Sequence, residues 1–231
     1  MAEEFPCNSR IMELLQNKSA IKQKVYRETM SVFERLQLQL TGVSDSLEGE
    51  ICKVDDHVKL EYRHKSKYEA EIQFSGDVLL FHMHTNVFTF EKEHQIWKMS
   101  YIKEDKRRAY FGMINIYNFL ADSFRFNRVN DVGVLLGRIF INHEGHFFIE
   151  GKRQLGFLYN QLDQGAITDE HLKKIIDTAI IYALEYDLTA PPLEEVLLAS
   201  VGQVQKLSNE ILLKTSKNLG FKFHTRMEKE E

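Results

Sequence analysis

The stretch from residue 57 to residue 151 has the alternation of apolar and polar residues that is typical of β-strands. In the segment 58–63, apolar residues at even positions alternate with charged residues at odd positions, and the segment 68–74 repeats the pattern. A strand of this kind has one face in a core and the other in water, as in antiparallel sheets. We therefore predict an antiparallel sheet of five to seven strands over residues 57–151.

The later segments of this block are less regular. Residues 78–90 are apolar on both faces over much of their length, which favours a central strand, and residues 96–102 favour a further short strand. Residues 109–126 fit either a strand or a short helix. Residues 132–151 predict a hairpin whose two-residue turn is Glu144–Gly145.

Helical periodicity precedes the sheet. Apolar residues recur at helical spacing over residues 8–40, which predicts an amphipathic helix, with a break near Asn17–Ser19 left open. Thr41–Gly42 is expected to end this helix, and residues 43–50 are expected to form a loop.

A helical pair is predicted after the sheet, over residues 168–218. Thr168 is a natural N-cap, and acidic residues follow it in the first turn. Pro191–Pro192 separates the two helices, since proline is tolerated in the first turn of the second one. The chain shows neither a repeat nor a linker of glycine, proline and serine, so residues 1–231 are interpreted as a single α+β domain.

The charge and composition exclude several classes of protein. A formal net charge of −4 lacks the positive footprint of a general nucleic-acid binder, and no apolar run reaches the length of a membrane span. The acidic N-terminus does not resemble a secretory signal, so a cytoplasmic protein is expected. Cys7 and Cys52 form neither a metal motif nor a disulfide framework, and Cys52 is expected at the start of a strand.

Two histidines suggest a metal site. His82 and His84 lie two residues apart in a predicted strand, so both imidazoles project from the same face. Neutral imidazoles bind divalent transition metals, and a further ligand would have to come from another strand. The candidates for it are His57, His64, Glu91 and Glu93. The favoured alternative is a pair of strand histidines that bond to their neighbours, and no other cofactor is expected.

Four arginines are candidates for binding an anionic ligand. Arg125, Arg128, Arg138 and Arg153 lie around the predicted hairpin, and arginine binds carboxylate and phosphate groups bidentately. Turn and packing roles for the neighbouring Asn and Asp residues are the alternative.

Two further groups have a surface interpretation. His143 and His146 would face each other across a two-residue turn, as exposed polar residues or as a cation-binding or pH-sensitive pair. The basic run from Lys103 to Arg108 precedes two aromatic residues, as in some nucleic-acid sites. Glu104 and Asp105 partly neutralise it, which favours a solvated loop.

The chain contains no nucleophile elbow, no phosphate-binding loop with Lys-Ser/Thr and no His-Glu-X-X-His motif. The leading hypothesis is therefore a non-catalytic module that binds a protein partner or small ligand across its sheet. A metal-dependent enzyme using His82 and His84 is the alternative, and nucleic-acid binding through residues 103–108 is the least favoured. A homodimer is expected because an apolar stripe continues along the last predicted helix, at Leu197, Val201, Val204, Leu207 and Ile211.

Overall fold

The computed structural model describes residues 6–55, 57–162, 165–188, 190 and 201. Its centre is an antiparallel sheet of six strands in which every strand pairs with its neighbours in the sequence, so the spatial order is β1-β2-β3-β4-β5-β6. The strands are β1 (Leu60–Ser66), β2 (Glu69–Phe74), β3 (Asp77–Met83), β4 (Gly112–Leu120), β5 (Val134–Ile141) and β6 (Phe147–Gly151). The predicted antiparallel sheet is confirmed.

Helices precede, interrupt and follow the sheet. They are α1 (Pro6–Leu14), α2 (Ala20–Ile51), α3 (Ser100–Glu104), α4 (Ala121–Arg125), α5 (Gln154–Leu158) and α6 (Asp169–Leu184), with a π-helical turn at Leu15–Ser19 and 3-10 turns at Gln95–Lys98 and Lys106–Ala109. The α+β class is therefore confirmed, with a long N-terminal helix beside the sheet. No helix in the part of the chain that the structure describes is long and apolar enough to cross a membrane.

The main core lies between one face of the sheet and the pair α2 and α6. Phe33 of α2 and Ile176 of α6 are fully buried with Ile72 of β2 and Phe81 of β3. These strand residues come from the apolar half of the two-residue alternation. The alternation therefore directs the charged half of β1 and β2 to the opposite face of the sheet.

A second, smaller core covers part of that opposite face. Residues 84–111 fold over one end of it, and their side chains Ile102 and Phe111 are buried with Phe140 of β5 and Phe148 of β6. Phe140 and Phe148 are cross-strand partners whose rings stack at 5.0 Å. The second core takes up the β5–β6 part of this face, and the charged surface near β1 lies beyond it.

The first helical segment is longer than predicted. The helix continues through Gly42 to Ile51, because Val43 and Ser44 are still buried against the body of the protein. One glycine in a helix costs about 1 kcal/mol, which is not enough to end it. The break near Asn17–Ser19 is a π-helical turn within a continuous helical segment.

The prediction of strand at residues 78–90 and 96–102 was wrong in part. The strand β3 ends at Met83, and residues 96–102 belong to a 3-10 turn and to α3. The side chains of His94 and Asp105 accept hydrogen bonds from the backbone N–H groups of Ile96 and Arg107. Local bonds of this kind compete with strand pairing, so they favour short helical turns.

The ambiguous segment 109–126 contains both predicted elements, since β4 is followed directly by α4. The hairpin of β5 and β6 is also present, but its turn is wider than two residues. The N–H of Gly145 donates to the carbonyl of Asn142, and Gly145 has a φ of 76°. Glycine adopts this left-handed conformation without steric cost.

The C-terminal prediction is confirmed in its first half. Thr168 caps α6, and its hydroxyl accepts from the N–H of His171 while the His171 ring accepts from the N–H of Thr168. The second helix of the predicted pair lies outside the described residues, apart from Val201. Cys52 lies at the C-terminal end of α2 and not at the start of a strand.

The packing predicts opposite effects for two glycine substitutions. Gly112 lies against Thr29 of α2, and a Cβ atom there would come within 1.9 Å of the Thr29 hydroxyl oxygen, whereas Gly42 has open space around it. Gly112→Ala should lower the free energy of unfolding by about 1–3 kcal/mol through overpacking. Gly42→Ala should raise it by about 0.5–1 kcal/mol, since alanine favours helix. Urea denaturation measures both, and equal effects would contradict the packing described.

Candidate functional site

A groove of about 940 Å³ lies on the face of the sheet opposite α2, beyond the second core. Gln73 of β2 and Val78 of β3 form part of its floor. One wall comes from β1 and the residues just before it, and the other comes from α4 and Arg128. The groove exists because α4 turns back over this face directly after β4 ends, where the N–H of Ala121 bonds to the carbonyl of Gly76.

Cations line both walls of the groove. Five of its sixteen lining residues are lysine or arginine and two are carboxylates. With Glu71 below the groove and Asp131 beside Arg128 included, the cations still outnumber the carboxylates, although the chain carries a net charge of −4. The β1 wall contributes Lys59, Arg63 and Lys65, and the α4 wall contributes Arg125 and Arg128. Lys59, directly before β1, and Arg63 belong to the charged half of the alternation, which the main core directs to this face, whereas Lys65 lies at an irregularity in the pairing with β2.

A buried carboxylate holds two of these cations in place. Glu71 of β2 is 1% exposed, and its oxygens lie 3.3 Å from a terminal nitrogen of Arg63 and 3.3 Å from Nζ of Lys65. A buried charge needs oppositely charged partners, so Glu71 holds the side chains of Arg63 and Lys65 beside each other on the groove side of the sheet.

Arg63 also bonds to Glu61, at 2.5 Å. This hydrogen bond lowers the pKa of Glu61 and raises the pKa of Arg63, although partial burial opposes both effects. Both groups therefore stay charged at neutral pH, and the pair is a fixed element of the β1 wall.

Lys59 and Arg125 differ from the other groove cations. Both are exposed, and neither forms an ion pair with any residue that the structure describes. The guanidinium of Arg125 lies 5.2 Å from the ring centre of Phe126, which supports the side chain without neutralising it. These two cations, one on each wall, are available to an anionic ligand.

The structure divides the four arginines that the sequence singled out. Arg125 and Arg128 lie together at the groove, and Arg128 is 3.8 Å from Asp131. Arg138 bonds to Glu150, its cross-strand partner on β6. Arg153 lies over the ring of Tyr182, at 5.3 Å. The structure thus brings two of the four together, and their role in binding stays a prediction.

Sequence reasoning missed the cations of the β1 wall. Lys59 and Arg63 were interpreted as the solvated face of a strand, and Lys65 as part of the connecting turn that follows it. Their odd-numbered positions did indicate a shared face, but nothing in the sequence indicated that α4 would lie opposite them. The groove depends on that tertiary contact.

The two histidines of the predicted metal site lie close together, with ring centres 6.3 Å apart. His84 follows β3, and its Nδ1 accepts the backbone N–H of Asn86 at 3.0 Å. His64 lies on the other face of the sheet, 3.3 Å from Gln37 of α2, so it does not meet His82. Among the described residues, no three His, Cys, Asp or Glu side chains are placed to hold a metal ion. The metal site stays a prediction.

A second polar cluster joins the segment 84–111 to the tip of the β5–β6 hairpin. The Tyr101 hydroxyl donates to Glu144 at 2.6 Å and accepts from the side-chain amide of Asn142 at 2.9 Å. Nε of Arg108 donates to the same carboxylate at 3.2 Å. Burial and the bond to Glu144 raise the pKa of Tyr101. These hydrogen bonds hold the segment 84–111 against the β5–β6 hairpin.

The two hairpin histidines do not face each other, because the turn is wider than two residues. His146 stacks on Tyr101 with ring centres 4.6 Å apart, whereas His143 is only 6% exposed. Their interpretation as exposed residues that close the hairpin was therefore wrong for His143. The basic run 103–108 is partly helical, and its Arg107 and Arg108 form ion pairs with Asp105 and Glu144.

The burial of His143 predicts that the folded protein loses stability at acidic pH. Burial lowers the pKa of its imidazole below the ordinary value of 6.5, although the neighbouring Glu144 opposes this effect. The unfolded chain therefore binds the proton more readily than the folded protein. The contribution of His143 to stability is fully present above about pH 6.5 and is lost as the pH falls through the lowered pKa.

Urea denaturation between pH 7.5 and pH 5 checks this prediction. The His143→Gln variant should lose less stability on acidification than the wild type, because it has no buried imidazole to protonate. His57→Gln is the matched control, because the side chain of His57 is 91% exposed. Equal pH dependence in the wild type and His143→Gln would contradict the role assigned to burial.

Comparison with known proteins finds no match: no family model, no curated protein and no solved structure matches the chain. The geometry and charge of the groove are therefore the basis of the functional argument.

Proposed function

We propose that this protein is a non-catalytic binding module that holds an anionic ligand in the groove between β1 and α4. The observation that carries the proposal is the pair of cationic walls, with Lys59 on one and Arg125 on the other outside any ion pair with the described residues. An anion that enters the groove meets positive charge from both sides. It contacts the two arginines, Arg125 and Arg128, that the sequence had already indicated.

The size of the groove and the chemistry of its cations both support a specific ligand. Its volume of about 940 Å³ lies near the upper end of the range for small-molecule sites, which is about 300–1,000 Å³. A hydrogen bond to a charged group contributes about 1.5–3 kcal/mol, so two or three such contacts give measurable affinity. Because the groove is open to solvent, the affinity should fall as the salt concentration rises.

The proposal is one of binding and not of catalysis. The lowered pKa of Glu61 and the raised pKa of Arg63 keep both groups charged at neutral pH. This favours fixed electrostatic contacts over proton transfer. The alternative enzyme hypothesis depends on His82 and His84, which are bonded to their neighbours or packed on aromatic rings.

Charge reversal on either wall tests the proposal. Lys59→Glu and Arg125→Glu should each weaken the binding of inorganic tripolyphosphate by about tenfold or more, since a lost charged contact costs at least about 1.4 kcal/mol. Isothermal titration calorimetry at low salt measures the affinity. Lys98→Glu is the matched control, because it makes the same charge change at an exposed position outside the groove.

Two results would contradict the proposal. One is the absence of tripolyphosphate binding to the wild type at low salt. The other is an equal loss of affinity in Lys98→Glu and in the two groove variants, because that would show attraction to the net charge of the chain and not to the groove.

We also propose that the protein is a cytoplasmic homodimer. The apolar stripe of the last predicted helix lies outside the described residues except for Val201, which is 75% exposed and therefore available for contact. Cys52 is an exposed free thiol, which is consistent with a reducing compartment. Gel filtration with light scattering at micromolar concentration should give twice the chain mass of 27.1 kDa. A mass equal to one chain would show that the homodimer is wrong.

A further inference from the structure

Within the described residues, the backbone pairs with one edge of the sheet and not with the other. At the β6 edge, the N–H of Ile149 donates to the carbonyl of Tyr159 at 2.6 Å, and His146 forms a bridge with Ala166. The chain therefore covers the β6 edge with its own backbone. At the β1 edge, no backbone group of the described residues pairs with the outer side of the strand.

The register identifies which groups of β1 are open. The N–H of Ser75 donates to the carbonyl of Lys59, so Lys59 belongs to a hydrogen-bonded pair with β2. Bonding direction alternates along an antiparallel strand, so the N–H and C=O groups of Leu60, Tyr62 and His64 point away from β2. They form a row of donors and acceptors ready to pair with another strand.

A cavity flanks this edge on each face of the sheet. The basic groove lies on one face. A smaller cavity of about 420 Å³ lies on the other, between the C-terminal half of α2 and β1. Its lining includes Asp45 and Glu48, and Lys59 and Glu61 line both cavities. The two sides of the β1 edge therefore differ in charge, positive on the groove side and negative on the α2 side.

We propose that a partner protein adds an extended acidic segment to the β1 edge as a seventh strand. Its backbone pairs with β1, its acidic side chains at alternate positions enter the basic groove, and its neutral side chains between them face α2. This inference rests on the anion-binding function proposed above and names the ligand class.

The spacing of the charges supports this occupant. Alternate residues of a strand are about 6.6 Å apart, both in β1 and in a segment that pairs with it. Lys59 and Arg63 therefore match acidic residues placed four positions apart. Glu61, which lies between them on the same face, is already bonded to Arg63, and Lys65 lies at an irregularity in the pairing of β1 with β2. Backbone pairing provides affinity in strand addition, and the alternate side chains provide specificity.

A synthetic peptide of alternating Thr and Glu, Thr-Glu-Thr-Glu-Thr-Glu-Thr-Glu-Thr, tests the proposal with the full chain. Fluorescence anisotropy of the labelled peptide measures its affinity. It should bind at least tenfold more tightly than a peptide of the same composition in which the glutamates are adjacent. Lys59→Glu and Arg125→Glu should each weaken its binding by tenfold or more, and Lys98→Glu by less than twofold.

Backbone methylation separates strand addition from attraction between charges. Only every second N–H of an added strand points toward β1. Methylation of the Thr nitrogens should remove binding if the peptide adds antiparallel, as every strand of this sheet does, while methylation of the Glu nitrogens should leave it within threefold. A loss confined to the Glu set would show parallel addition, which also supports the proposal.

The remaining outcomes overturn it. Equal effects of the two methylated sets would show binding by charge alone. Binding of tripolyphosphate but not of the alternating peptide would keep the groove as an anion site and remove the peptide as its ligand. If neither probe binds, the anion-binding function fails together with this inference.

Discussion

The packing of α2 against the apolar half of β1 and β2, with α6 packed against α2 and β3, decides where the other side chains of the sheet lie. Phe33 and Ile176 are buried on that face, and strands with a strict two-residue alternation then present their charged residues on the other face. A shift of one residue in the register of β1 would exchange the two faces. The main core therefore places Lys59 and Arg63 in the groove, although neither residue belongs to that core.

The opposite face of the sheet is used in two ways. Near β5 and β6 it is apolar and is covered by residues 84–111, with Phe140 and Phe148 stacked beneath them. Near β1 it is charged, and Glu71 is buried under Arg63 and Lys65. Because α4 lies over only part of this end, the charged region becomes a groove and not a flat surface.

Periodicity predicted the parts of the fold that depend on local pattern. The alternation at 58–63 and 68–74 identified β1 and β2, although β1 extends to Ser66, into the predicted turn, and the capping signal at Thr168 identified the start of α6. The predicted end of α2 was wrong because the burial of Val43 and Ser44 outweighs the low helix propensity of one glycine. The helical turns within residues 95–109 were not predicted. They depend on hydrogen bonds to the side chains of His94 and Asp105, and the spacing of apolar residues does not indicate such bonds. Of the candidate site, Arg125 and Arg128 were predicted, and the β1 wall was not, since only the tertiary fold brings α4 opposite it.

The charges on β1 also bear on how copies of this chain behave at high concentration. An open strand edge is a template for aggregation, and a long one is a hazard for any soluble protein. Two copies that paired β1 with β1 would bring together two faces on which Lys59, Arg63 and Lys65 outnumber Glu61. Mutual repulsion opposes that contact. The same residues thus disfavour association of two copies through β1, so the proposed homodimer would have to form through another surface.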